Sequence, residues 1–102
     1  MKDFLTLVNT WYQSKCDGVW EHSYGFSLDN IDNPGWCIKI TGENNKKVLS
    51  ITSDIDTEDF WLSITSNENS FIGYSGILSF DRLLEYAVEW LEINSQFTTL
   101  LP

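Results

Sequence analysis

The sequence predicts an α+β fold in the order α-β-β-β-β-(β)-α: an antiparallel four- to five-stranded meander sheet, with the N-terminal and C-terminal helices packed on one face. Three observations carry this. Apolar residues recur at helical spacing at both ends of the chain, they alternate with polar residues between positions 20 and 75, and short polar connections separate the alternating runs. Short connections join antiparallel neighbours, whereas a parallel sheet needs a crossover between strands.

From Lys2 to Lys15 the residues Phe4, Leu7, Val8, Trp11 and Tyr12 form one apolar stripe of an amphipathic helix. Gly18 reads as its stop, because glycine adopts the left-handed C-cap conformation, and Lys15 suits the negative end of the helix dipole. Period two follows, with Trp20, His22, Tyr24, Phe26 and Leu28 on the inward face of a strand. In DNPGW, Pro34 and Gly35 predict a type II turn, after which Trp36, Ile38 and Ile40 resume the alternation.

GENNKK is a polar connection, and VLSIT makes a third strand with Leu49 and Ile51 on one face. FWLSITS makes a fourth, with Phe60, Leu62 and Ile64 inward and Trp61, Ser63 and Thr65 outward. FIGYSG reads as a short edge strand weakened by its glycines. Ser79 is an N-cap, Leu78 and Leu83 are placed for a hydrophobic staple, and Phe80, Leu83, Leu84, Ala87, Val88 and Leu91 form the stripe of a second helix ending near Asn94. SQFTTLLP is left as a tail, with Phe97 and Leu100 able to dock. Two striped helices and one apolar sheet face are all buried only if both helices share a side. The other face then carries Lys39, Ser50, Thr52, Trp61 and Ser63.

Length and charge bound the function. A chain of 102 residues, 42% hydrophobic and 15% aromatic, is one domain spanning 1–102 with enough apolar surface for a core. Fifteen acidic against six basic residues give a formal charge of −9, which argues against nucleic acid as a partner and favours a cationic protein. No run approaches the length of a membrane span, so no membrane partner is expected. MKDFLTLVNTWYQ, broken by polar residues, reads as a helix rather than an export signal. Cys16 and Cys37 therefore read as reduced thiols of a cytoplasmic protein.

CDGVWEHSYG gathers the reactive side chains. Cys16, Glu21 and His22 could serve a small hydrolase or metal-dependent enzyme, but Cys16 and His22 meet only if the chain folds back around Gly18. Cys16, His22 and Cys37 lack the paired spacing of zinc sites, so no metal or other cofactor is assigned. The acidic run Asp54, Asp56, Glu58, Asp59 lacks the glycine and terminal glutamate of a calcium loop. It reads as a solvated loop or a contact for a basic partner, with Trp61 as the adjoining anchor.

Taken together, WYQSKCDGVWEHSYG and DNPGW resemble the immunity protein 53 family, bacterial proteins that accompany polymorphic toxins. The resemblance runs through Trp11, Tyr12, Cys16, Asp17, Gly18, Trp20, Glu21, His22, Tyr24, Gly25, Asn33, Pro34, Gly35 and Trp36, and thins to strand pattern and layout beyond them. It implies a cytoplasmic, non-enzymatic protein that binds and neutralises a cognate toxin by occluding its active site or an exosite. It supplies no contact map; the toxin-facing set Asp54, Asp56, Glu58, Asp59 and Trp61 comes from charge and aromatic placement. Glu21 and His22 are expected either as a buried hydrogen-bonded pair or as part of a partner-facing surface.

Overall fold

The computed structural model describes residues 4–52 and 59–91. The elements are α1 (Phe4–Lys15), a 3-10 turn (Trp20–His22), β1 (Phe26–Ile31), β2 (Gly35–Ile40), β3 (Ser50–Thr52), β4 (Leu62–Ser66), β5 (Phe71–Ser75) and α2 (Phe80–Leu91). This is the expected α+β architecture of two terminal helices and a five-stranded antiparallel sheet. The expected tail and the end of the second helix near Asn94 lie outside the described residues.

The strand order is β1-β2-β5-β4-β3, every neighbouring pair antiparallel. The sheet is therefore a hairpin, β1–β2, joined to a meander, β3–β4–β5, rather than one continuous meander. FIGYSG, read as an edge, is the central strand. Its glycine serves helix packing: a Cβ on Gly73 would lie 2.5 Å from Leu83 Cδ1, so α2 can approach β5 this closely only over a bare backbone.

Alternation puts Ile38 and Ile40 of β2, Leu62 and Ile64 of β4 and Phe71 of β5 on one face, all buried beneath Leu83, Leu84, Ala87, Val88, Trp90 and Leu91 of α2. Trp11 of α1 joins the same core and meets Phe26 of β1 at 6.5 Å between rings, so both helices cover one face. The α2 stripe is buried there from Leu83 to Leu91, whereas of the α1 stripe only Trp11 is buried, with Phe4, Leu7 and Val8 partly covered and Tyr12 exposed. Trp90, absent from the expected stripe, is a full core member, packed on Phe71 at 5.5 Å and donating its indole N–H to Lys47 O at 3.0 Å. On the uncovered face, Cys37 is buried among strand neighbours, and loss of water there pushes its thiol pKa up, which keeps it protonated and unreactive.

Several local expectations give way. Residues 20–25 are not strand: His22 N, Ser23 N and Tyr24 N bond back to Val19 O, Trp20 O and Trp20 O, closing a 3-10 turn that leaves His22 and Tyr24 exposed. DNPGW does not form a type II turn on Gly35; Asp32, Asn33 and Pro34 make the turn with a cis Asn33–Pro34 bond, while Gly35 already pairs with Ile31 and lies against the Ser75 carbonyl. At α2, Ser79 O accepts the first helical bond from Leu83 N at 3.1 Å, but its hydroxyl is committed to the Trp61 backbone, donating to Trp61 O at 3.1 Å. Leu78, expected to staple onto Leu83, is 56% exposed, and Phe60, expected inward, is 49% exposed.

Candidate functional site

The motif segment folds around two carboxylates. Asp17 Oδ1 accepts from Val19 N and Trp20 N, both at 2.9 Å, while Glu21 reaches back to accept from Asp17 N at 3.0 Å and Gly18 N at 2.8 Å. The arrangement is reciprocal, like a capping box one residue longer, and it requires the positive φ of 95° that Gly18 supplies. Backbone N–H donors hold both carboxyls below the ordinary carboxylate range: for Asp17 those of Trp20 and Val19, and for Glu21 its own N–H first, then those of Asp17 and Gly18. Glu21 thus holds its own turn and is not paired with His22.

Those lowered values make the turn sensitive to acid. A group whose pKa is lower in the folded chain than in the unfolded one stabilises the fold above the ordinary carboxylate range and ceases to do so as pH falls through its lowered value. Acid titration followed by amide hydrogen exchange is therefore expected to release the Gly18, Val19 and Trp20 amides first, and Asp17→Asn to remove the Val19 and Trp20 part of that step. Unchanged protection of these amides through the carboxylate range would contradict it.

The other reactive groups of the motif do not assemble. Cys16 is an exposed free thiol, and its side-chain neighbour is Tyr12, one helical turn earlier, whose phenol is pushed above its ordinary value by the charge Cys16 would carry and by a hydrogen bond with it. The His22 imidazole is exposed and makes no hydrogen bond or ion pair among the described residues, which departs from the first of the two expectations, a buried hydrogen-bonded pair with Glu21. Cys37 lies on the uncovered face of the sheet. Among the described residues, no three of His, Cys, Asp and Glu come together as a metal-holding group.

Trp20 carries the motif into the tertiary structure. Its indole packs edge-on against Trp11 at 5.8 Å and donates to Gly42 O at 3.1 Å, tying the turn to the GENNKK connection. The next residue, Glu43, is 4% exposed. Its carboxylate lies 2.9 Å from Lys15 Nζ, close enough for an ion pair but not aligned as a hydrogen bond, and 3.5 Å from Lys46 Nζ. Lys46 also donates to Leu91 O at 2.8 Å at the last turn of α2. Glu43 so joins the C-terminal ends of both helices through two lysines. Nothing in GENNKK marks this carboxylate for burial except the lysines at its own i+3 and at the end of the first helix. Trp20, Tyr24, Gly42, Glu43, Asn44 and Asn69 line an open cleft of about 300 Å³ at this end of the sheet.

The opposite end of the sheet is different in kind. Of the expected toxin-facing residues, Asp54, Asp56 and Glu58 lie outside the described residues, while Asp59 and Trp61 lie at this end, where β4 begins and β5 ends. Three loops are pinned together: Leu78 N donates to Asp59 O at 3.0 Å, Gly76 N to Trp61 O at 3.1 Å, and the Trp36 indole to Ile77 O at 3.1 Å. A Cβ on Gly76 would come within 2.5 Å of Asp59 O, so this contact needs glycine. The result holds Phe60, Ile77 and Leu78 outward in water beside half-buried Trp36, Trp61 and Phe80. Asp59 and Trp61 are brought together here with three apolar residues that alternation alone does not single out, because they lie in connections.

No helix among the described residues is long and apolar enough to cross a membrane. Compared with known proteins, residues 5–92 match a family model described as immunity protein 53. No curated protein and no solved structure matched.

Proposed function

Because the chain belongs to the immunity protein 53 family, we propose that it binds a cognate toxin domain and neutralises it in the cytoplasm by stoichiometric occlusion of the toxin's active site or an adjacent exosite, without catalysis of its own. One observation supports the non-catalytic reading most directly: of Cys16, Glu21 and His22, the first two are engaged elsewhere, which leaves His22 without either as a catalytic partner. Glu21 and Asp17 accept backbone N–H groups, and Cys16 faces Tyr12. A general base must reach the group it deprotonates, and Glu21 has both oxygens engaged in holding its own turn.

A formal charge of −9 speeds encounter with a basic toxin and needs no particular contact to do so. The toxin-facing residues of this reading are Asp59 and Trp61, together with Asp54, Asp56 and Glu58 of the preceding segment. Coexpression with the toxin domain encoded beside it tests the reading. Cells are expected to survive, and to survive equally with Cys16→Ser and His22→Ala. Continued killing in the presence of soluble, folded protein would overturn neutralisation, and loss of protection in either folded variant would turn the argument toward the hydrolase alternative on Cys16, Glu21 and His22.

A further inference from the structure

The two ends of the sheet differ in charge as well as in shape. Lys15, Lys46 and Lys47, half of the six basic residues, lie at the Glu43 end. At the Trp61 end, the connections 32–34, 59–61 and 76–79 hold Asp32 and Asp59 and no basic residue, and Asp81 is exposed in the first turn of α2. Arg82, which follows Asp81, lines a hollow on α2 with three residues of which two are acidic, Glu85, Tyr86 and Glu89.

Apolar side chains held outward by structure are the informative kind. Ile77 is 45% exposed, and its carbonyl accepts the Trp36 indole; Leu78 is fixed through its amide on Asp59 O. Trp36 in turn stacks on Phe80 with ring centroids 5.0 Å apart. Ser79 is buried beneath this end, with its hydroxyl on the Trp61 backbone, so the loop is anchored at both sides of the exposed pair. Such a platform loses little conformational freedom when a partner covers it, which is what makes an aromatic and aliphatic cluster with a polar rim effective in binding.

Resting on the immunity reading, we propose that Phe60, Trp61, Ile77 and Leu78 form the face on which the toxin docks, and that the toxin's contacting surface is an apolar knob ringed by lysine or arginine. Charge selects this occupant. A second copy of the chain would bring one acidic rim against another, and an acidic or nucleic-acid surface would be repelled in the same way. A basic ring meets Asp32, Asp59 and Asp81 around the apolar centre.

The test measures affinity of the full chain for a catalytically inactivated form of the toxin domain encoded beside it, at low and high salt. Ile77→Asp/Leu78→Asp replaces two outward side chains and leaves the Leu78 amide in place. It is expected to weaken the Kd about 100-fold or more, the range of a central anchor pair. Tyr24→Asp, at the opposite end, is expected to change it less than about 3-fold, as peripheral contacts do. Wild-type association is expected to slow as salt rises. If the double variant loses its thermal transition, Leu78→Asp alone carries the same test.

Wild-type affinity in the folded double variant, or a larger loss in Tyr24→Asp, would overturn the docking face while leaving neutralisation standing. A wild-type dimer that the double variant converts to monomer would assign the face to a second copy instead. Association indifferent to salt would overturn the basic ring. No binding by the wild-type chain would overturn the immunity reading and this face with it.

Discussion

Trp90→Ala is expected to cost about 3–5 kcal/mol, the range for removing a large aromatic from a core. The indole is 1% exposed, stacks on Phe71 and satisfies Lys47 O. Truncation leaves a cavity between α2 and β5 and an unpaired carbonyl at its edge. For a domain near 100 residues, whose total stability is about 5–15 kcal/mol, that lowers the thermal midpoint by roughly 20 °C and leaves little margin at growth temperature. Trp90→Phe keeps the ring contact and forfeits the hydrogen bond, so about 1–2 kcal/mol is expected for it. Urea unfolding of both variants checks the ratio; equal losses would mean that the Lys47 contact, rather than packing, holds the indole.

Glu43→Ala is the second large effect, about 3 kcal/mol, because deleting one member of a buried charge cluster strands the others. The value sits at the low end for such deletions: Lys15 is partly exposed and can turn to water, while Lys46 retains Leu91 O. Lys15→Ala, by the same reasoning, should cost under about 1 kcal/mol. Glu43→Ala and Lys15→Ala losses of equal size, measured by chemical denaturation, would place the energy in the Lys15 pair alone and leave Lys46 without a part in it. The expected asymmetry instead makes Glu43 a junction that depends more on the less exposed of its two lysines, Lys46.

What the sequence makes legible follows from which forces act locally. Both helices were readable because their stripes are periodic, and β4 and β5 because fully buried residues recur at every second position along them. The 20–25 segment alternates just as well, yet the carboxylates of Asp17 and Glu21 close a turn that a hydropathy pattern cannot register. Strand order was hidden for a related reason. Gly73 weakens a strand considered alone, and only the contact with Leu83, ten residues later, shows why the centre of the sheet tolerates it.

The candidate site divides the same way. Asp59 and Trp61 were visible as charge beside an aromatic. Phe60, Ile77 and Leu78 were not, since two connections distant in sequence must be pinned together before their side chains form one surface. Trp90 had a usable signal: with Leu83 and Ala87 it completes an i, i+4, i+7 set on the helix face already assigned to the core. Glu43 had almost none, as a carboxylate among turn-forming residues is ordinarily solvated.

The central position of β5 has a consequence for the order in which a newly made chain becomes competent. The segment that carries most of the family signature, through Trp36, is synthesised early and folds into a turn and the β1–β2 hairpin, but a two-stranded hairpin is marginal in water. Among the described residues its only further strand partner is β5, beyond residues 41–70, and the helix that covers both follows β5. Until ribosomes reach α2 there is no core to join, and pairing across so long a stretch is slow compared with local folding. The segment richest in the quoted motif is therefore the one that waits for β5 and α2 before it has a core to join.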